Sequence, residues 1–223
     1  MVVTGWLTYR LSGQTYDAMD VDSAHVESVH CRVETAIPRV LAYVQGFARG
    51  KTGRPGMTFS QDCYDLAANH EGCILRAYDD ARPHYILQLG DKVKGTLTIG
   101  RGHTGPDVYI GLVWTQEQAD AQFACDLEIA AECVHALVKV PLTQGQFDAL
   151  TDFTFQEGSG TLQRSTLLKR LKDGSYDAVP NQLCRQDPDG SYHGYVFAFG
   201  EVNADLIKRR QAEIALWNKK EEA

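Results

Sequence analysis

The stretch Glu71-Gly72-Cys73-Ile74-Leu75-Arg76-Ala77-Tyr78-Asp79-Asp80 places one carboxylate at the end of a predicted helix and a second carboxylate nine residues further on. After fourteen intervening residues, 81–94, the chain reads Gly95-Thr96-Leu97-Thr98-Ile99-Gly100-Arg101-Gly102-His103-Thr104. Its β-branched residues favour a short strand, and its glycines permit tight turns of the backbone beside that strand. The first segment therefore predicts the end of a helix, and residues 82–104, which contain the second segment, predict a small irregular sheet.

Two carboxyl groups in such a setting suit the hydrolysis of a glycosidic bond. The reaction needs one protonated carboxyl for the leaving group, and one ionised carboxylate to activate water or to stabilise positive charge. Glu71 has apolar neighbours in the sequence, and a partly desolvated carboxyl keeps its proton more readily, which suits a general acid. Glu71 is therefore the candidate acid, and Asp79 and Asp80 compete for the second role.

The pattern Glu-Gly-x-x-Leu-x-Ala-Tyr-x-Asp, followed by Gly-x-x-Thr-Ile-Gly-x-Gly-His, resembles that of the phage-type lysozymes and endolysins, glycoside hydrolase family 24. Every fixed position of the pattern is filled in this chain. Further matching segments at 142–150, 155–158 and 165–168 extend the resemblance over roughly residues 60–220. The resemblance implies an α+β, mostly α-helical, two-lobed fold, with a small β-hairpin or sheet lobe and a helical lobe joined by a long helix.

By the same resemblance, the protein hydrolyses the β-1,4 bond between N-acetylmuramic acid and N-acetylglucosamine in the peptidoglycan of the bacterial cell wall. The family pattern selects Asp80 as the second carboxylate and leaves Asp79 as a solvated turn residue. It also implies that Asp80 and Thr98 position the attacking water. The residues expected at the substrate cleft are His103, which is mainly structural in the family, and Gln156 and Gly158.

One departure from the family lies between Asp80 and Gly95, where residues 81–94 make the chain twelve residues longer than compact members. This insertion is expected to lengthen the hairpin that borders the cleft, so that Asp80 and Thr98 need not converge. Two other functions stay open: a lytic transglycosylase, in which one Glu makes both proton transfers, and a wall-binding module without activity. An antibacterial effector would share the lysozyme chemistry and differ only in its delivery.

Capping boxes and apolar periodicity predict most of the remaining structure. Ser165 is expected to cap a helix rather than to bind substrate, and the Arg209-Arg210 pair is expected to be structural. Strands are predicted over 85–89 and 96–99, with a turn at Gly90-Asp91. Helices are predicted over 60–74, from Thr115 to Pro141, from Thr143 to Gly158, over 165–172 and 175–184, and from Asn203 onward.

The whole chain has the composition of an ordinary globular protein, with 43% apolar and 23% charged residues. Its formal charge of −7 gives no attraction to nucleic acid, and no apolar run approaches the roughly 20 residues that span a bilayer. Residues 1–57 are interpreted as an N-terminal extension of unknown role, with one short helix over 38–49, in front of a catalytic domain over 58–223.

The location of action is expected to differ from the place of synthesis. The N-terminus lacks the basic start and apolar core of a signal peptide, so we expect synthesis in the cytoplasm and action in the periplasm or on the cell wall. A holin or a secretion apparatus would then deliver the protein. We expect a monomer that acts on peptidoglycan glycan strands without a cofactor or metal. Its six cysteines are interpreted as small buried apolar residues, and disulfides formed in a periplasm stay open as the alternative.

Overall fold

A computed structural model gives the fold of the chain. It describes the backbone of residues 8–11 and 14–17 and, with side chains, residues 57–220. The first two segments pair as an antiparallel ladder of β1 (Thr8–Leu11) and β2 (Gln14–Asp17). The helix predicted over 38–49 lies outside the described residues.

The described part is α+β, as predicted, with helices predominating over short antiparallel strands. None of its helices is both long enough and apolar enough to cross a membrane. The helices are α1 (Gln61–His70), α2 (Gln116–Leu137), α3 (Gln144–Glu157), α4 (Ser159–Arg164), α5 (Thr166–Lys172), a 3-10 turn (Tyr176–Ala178), α6 (Val179–Leu183) and α7 (Ala204–Trp217). The strands are β3 (Ile74–Asp79), β4 (Leu97–Gly100), β5 (His103–Thr104), β6 (Cys184–Gln186), β7 (Tyr192–Gly194), β8 (Phe197–Ala198) and β9 (Glu201–Val202).

These elements divide into two compact units, and the division falls inside α2, between Cys125 and Asp126. We call residues 72–125 the β-unit. We call residues 57–71 together with 126–220 the helical unit. Each unit is described by itself below.

The β-unit is built on one antiparallel sheet with the strand order β3-β4-β5. Tyr78 lies opposite Thr98, and the register shifts between Ile74 and Tyr78. Gly100 has a φ of +64°, and a Cβ at this position would lie 3.0 Å from the Trp114 ring, so backbone conformation and packing both require glycine there. The buried core of the sheet consists of Ala77, Ile99, Val108, Trp114 and Ala119.

The helical unit is centred on α3, which packs against α7, α1 and α4. The predicted capping box begins this helix: the Thr143 side chain accepts from the backbone N–H of Gln146, and the Gln146 side chain accepts from that of Thr143. Gly145 is also required, because a Cβ there would collide with the backbone carbonyl oxygen of Leu216 on α7. Two hairpins that the sequence did not predict, β6–β7 and β8–β9, lead to α7.

Two secondary-structure predictions around the motif were wrong. The first helix ends at His70 rather than continuing to Ile74, because Glu71 already has the extended backbone (φ −105°, ψ 127°) that leads into β3. Residues 85–89 form no strand in the described structure. Local turn bonds take their place, from Tyr85 N–H to the Arg82 carbonyl and from Asp91 N–H to the Gln88 carbonyl.

The cysteine prediction was right only in part. The five cysteines in the described residues are free thiols, so no disulfide joins any of them. Cys63 is fully buried, and burial raises the pKa of its thiol. The other four described cysteines are only partly buried, and Cys73 among them packs against the core of the sheet. Cys63 alone among the five fits the interpretation as a buried apolar residue.

The insertion at residues 81–94 is an irregular loop between β3 and β4, and Asp79 closes it. The prediction that Asp79 is a solvated turn residue was wrong, because its side chain is fully buried. Its carboxylate accepts hydrogen bonds from the backbone N–H groups of Ala81 (3.1 Å), Lys94 (2.8 Å) and Gly95 (2.9 Å). It also pairs with the Arg82 guanidinium. One carboxylate therefore holds both ends of the insertion.

We expect the closure of this loop to depend on pH. The backbone N–H of Lys94, followed by other donors and offset in part by desolvation, lowers the pKa of Asp79 to about 2. A folded-state pKa below the ordinary value of about 3.9 means that the stabilisation is present above about pH 4 and is lost as the pH falls toward 2. Asp79→Asn should therefore unprotect the Lys94 and Gly95 amides at pH 6, as measured by hydrogen exchange, and the difference from wild type should shrink as the pH falls through about 2.

A matched control lies in the same loop. Asp91 accepts one backbone hydrogen bond from Gln88, within the loop, so Asp91→Asn should leave the Lys94 and Gly95 amides protected. Equal loss of protection in both variants would contradict the assignment of loop closure to Asp79.

Candidate active site

Glu71, the candidate acid, lies at the C-terminal end of α1, where its own N–H donates to the Ala67 carbonyl. Its side chain is 24% exposed, so the carboxyl is partly withdrawn from water but remains open to a ligand. The Arg209 guanidinium, only 5% exposed, holds it through a charged hydrogen bond of 2.6 Å between Nη1 and Oε1. The backbone end of α1 and a buried cation on α7 thus fix the carboxyl.

Arg209 is itself fixed by Asp152, a fully buried residue of α3. Two parallel hydrogen bonds, Nε to Oδ2 (2.9 Å) and Nη2 to Oδ1 (2.8 Å), join the two groups, which is the strong bidentate geometry of Arg and carboxylate. Burial lowers the pKa of Arg209, but Asp152 and then Glu71 more than offset this and raise it overall. Arg209 is therefore a permanent, oriented cation beside Glu71.

Asp80 and Thr98, in the β-unit, both form hydrogen bonds with the backbone of Thr96 despite the insertion. The Asp80 carboxylate accepts from the backbone N–H of Thr96 (2.6 Å), and the Thr98 hydroxyl donates to the Thr96 carbonyl (3.2 Å). Asp80 is exposed, whereas Thr98 is 4% exposed. Gly95 permits this arrangement, because a Cβ there would collide with the Asp80 carboxylate. The twelve extra residues therefore leave Asp80 and Thr98 together.

His103 lies in β5 of the same unit. Its Nε2 faces the Asp107 carboxylate at 3.2 Å, and its ring packs on Trp114 with centroids 5.5 Å apart. Because Trp114 belongs to the buried core of the sheet, these contacts orient the imidazole within the β-unit.

Gln156 and Gly158, in the helical unit, end α3. Gln156 lies in the last helical turn, and its Oε1 accepts from Arg210 Nη2 at 2.9 Å. Gly158 has a φ of +83°, which stops the helix. Ser165 caps α5 by accepting from the Leu168 N–H, which confirms the predicted cap. Gln156 and Gly158 therefore lie in one unit with Glu71, and Asp80, Thr98 and His103 lie in the other.

Sequence reasoning missed the chemical importance of the Arg pair and of Asp152. It treated Arg209 and Arg210 as structural, yet Arg209 contacts the candidate acid directly. One signal was available: Arg209, Arg210 and Glu213 share the face of α7 that also carries the buried Trp217, and charges on such a face require buried partners. Asp152 gave no comparable signal, because its partner is 57 residues away.

An α+β fold with a carboxyl held at a helix end, and an Asp–Thr pair beside a small sheet, is the architecture of a lysozyme-class glycoside hydrolase. The family model described as phage lysozyme matches residues 68–213. The SAR-endolysin of Escherichia phage Mu is 36% identical over 126 residues, which cover 56% of this chain and 68% of that protein. The endolysin of Bacillus phage B103 is 33% identical over 161 residues, 72% of this chain and 54% of that protein.

A solved structure gives the same result. The muramidase domain of SpmX from Asticaccaulis excentricus matches with a TM-score of 0.56 and 31% identity, over 74% of this chain and all of that chain. The chain belongs to the phage lysozyme family. It is a glycoside hydrolase of the lysozyme type, a muramidase that degrades peptidoglycan.

Proposed function

We propose that Glu71 is the general acid of this muramidase and that Asp80, with Thr98, positions the water that hydrolyses the β-1,4 bond between N-acetylmuramic acid and N-acetylglucosamine. The observation that carries the proposal is the fixed Glu71 carboxyl, partly withdrawn from water and joined to Arg209. A general acid must be held within hydrogen-bond reach of the leaving oxygen. A carboxyl held by a helix end and a buried arginine meets the requirement for a fixed position.

Arg209 contributes to the same step. When Glu71 gives its proton to the leaving oxygen, a carboxylate remains, and the guanidinium at 2.6 Å stabilises that negative charge as it forms. The bidentate bond to Asp152 holds Arg209 in place, so little reorganisation is needed at the moment of proton transfer. Arg209 therefore supports the acid without touching the substrate.

The Asp80–Thr98 pair suits the second half of the reaction. One Asp80 oxygen is bound by the Thr96 N–H, and because Asp80 is exposed its remaining acceptor capacity can receive a proton from water. Thr98 gives its own proton to the Thr96 carbonyl, which leaves the hydroxyl oxygen as an acceptor for water. Both groups can thus accept from a water, and both are oriented by the same peptide.

The remaining parts of the proposal concern the substrate, organisation and delivery. His103, Gln156 and Gly158 are proposed to line the saccharide site. Residues 58–223 are proposed as the catalytic domain, and the segment 1–57 as an N-terminal extension of unknown role. The protein is proposed to act as a monomer on the wall after delivery by a holin or a secretion apparatus. The relative from phage Mu is named a SAR-endolysin, which favours action outside the cytoplasm and export without a holin.

The products of the reaction test this function. Purified peptidoglycan is digested with wild type and with Asp80→Asn, and the released fragments are analysed by mass spectrometry. Hydrolysis gives reducing disaccharide-peptides, and Asp80→Asn should lower their release about 10²-fold or more. Anhydro-muramic ends, which lack one water, would instead indicate a lytic transglycosylase, and binding of the wall without release would indicate a binding module.

A further inference from the structure

Glu213 on α7 is a buried acid that the mechanism above does not use. Its side chain is fully buried, and Arg210 Nη2 lies 2.7 Å from its Oε1. Within the described residues, however, neither of its carboxyl oxygens accepts a hydrogen bond, because the arginine is poorly aligned with it. An ionised carboxylate buried without a donor is among the least favourable arrangements in a protein interior.

The cations around Glu213 are directed at other acceptors. Arg210 donates through Nη2 to Gln156 (2.9 Å) and lies 3.5 Å through Nη1 from Glu157, which is 22% exposed. Arg209 uses Nε and Nη2 on Asp152 and Nη1 on Glu71. The two guanidinium groups therefore leave Glu213 no aligned donor, although they lie close to it.

Asp152 is the acceptor that a protonated Glu213 could use. Each oxygen of the Asp152 carboxylate receives one bond from Arg209, and a carboxylate oxygen can accept a second. Asp152 and Glu213 are both fully buried, and two buried carboxylates within hydrogen-bond reach of each other cannot both ionise without strong repulsion. Burial first, and then the charge and the hydrogen bond of Asp152, raise the pKa of Glu213 well above its ordinary range, while Arg210 and Arg209 oppose this.

We propose that Glu213 carries a proton in the folded protein and donates it in a hydrogen bond to Asp152, and that it thereby acts as a positioning residue for Arg209 and Glu71. The proposal rests on the proposed role of Glu71. A second negative charge at Glu213 would compete with Glu71 for Arg209, whereas a neutral donor completes the set of acceptor bonds on Asp152. Ionisable groups face this cluster from every element packed against it. They are Asp152 and Glu157 on α3, Cys63 and His70 on α1, Glu71 at the end of α1, Arg209 and Arg210 on α7, Cys184 at the start of β6, and Tyr195 after β7.

The proton makes stability depend on pH with a defined sign. A folded-state pKa raised above the unfolded value stabilises fully below the unfolded value, and this stabilisation is lost as the pH rises through the folded value. The stability of wild type relative to Glu213→Gln should therefore fall as the pH rises, because the glutamine keeps a donor and cannot ionise.

Two variants and one direct measurement test the proposal. Carbon-13 NMR of the full-length protein, with the Glu213 signal assigned by comparison with Glu213→Gln, reports the protonation state without any use of activity. Unfolding and the kcat and KM on a soluble peptidoglycan fragment are then measured for Glu213→Gln and Glu213→Leu. We expect a protonated Glu213 at pH 7, a kcat within twofold of wild type for the Gln variant, and a roughly tenfold lower kcat with little change of KM for the Leu variant.

Each alternative outcome would overturn one part of the proposal for Glu213, either its protonation or its positioning role. A Glu213 signal that shows a carboxylate at pH 7 would overturn the proton assignment. A folded Leu variant with the kcat of wild type would overturn the positioning role, since leucine has the size but not the donor. If the wild type cleaves no glycan, the proposed function fails, but the NMR signal of Glu213 still decides the proton assignment.

Discussion

Glu71→Gln should lower the rate of peptidoglycan cleavage by about 10²- to 10⁴-fold, the usual contribution of a general acid. The amide keeps the size of the side chain and can still accept from Arg209 Nη1, so the local geometry at the end of α1 should be preserved. It cannot give a proton to the leaving oxygen. The release of soluble fragments from purified peptidoglycan measures the effect, and the thermal midpoint checks the fold.

A glutamate elsewhere in the helical unit supplies the control. Glu132 is exposed on α2, so Glu132→Gln makes the same change of charge and should leave activity within about twofold of wild type, because surface substitutions away from a site are nearly neutral. If Glu71→Gln kept more than a tenth of wild-type activity while folded, the acid would have to be another residue, and the function of Arg209 would have to be assigned again.

Local sequence signals predicted most of the helices, although α4 was not predicted and α1 ends earlier than expected. The capping boxes at Thr115 and Thr143 each lie within four residues of chain, and both form as predicted. The hairpins β6–β7 and β8–β9 were missed because strands of two or three residues contain too little sequence to show an alternating pattern. Helix caps, which depend on residues three positions apart, could therefore be predicted from the sequence, whereas strands of two or three residues could not.

The site was predictable only in part, and the difference lies in where the partners are. Glu71, Asp80 and Thr98 belong to one short motif, so a resemblance could select them together. The burial of Asp79 beside an exposed Asp80 could not be predicted from the sequence. The two side chains are identical neighbours, and two of the donors that bind Asp79 come from the far end of the loop. A sequence pattern can name a residue without indicating what it binds.

Asp152→Ala is the second change with a large expected effect, on stability. It leaves Arg209, 5% exposed, without its bidentate partner, so the guanidinium keeps its bond to Glu71 while its buried Nε and Nη2 lose their acceptor. Removing one member of a buried ion pair costs about 3–5 kcal/mol. For a protein of this size we therefore expect the thermal midpoint to fall by roughly 10 °C, at 2–4 °C per kcal/mol.

A surface pair provides the matched control for that loss. Asp205 pairs with Lys208, and both side chains are largely exposed, at 85% and 69%. Asp205→Ala should therefore change the free energy of unfolding by less than about 1 kcal/mol. Equal effects of the two alanine substitutions in denaturant unfolding would show that Asp152 contributes no more than a solvated pair. A large loss of stability confined to Asp152→Ala would instead mean that the buried Asp152 carboxylate holds Arg209 in place. Because Arg209 in turn binds Glu71, the stability of the helical unit and the proposed proton donation would then depend on the same carboxylate.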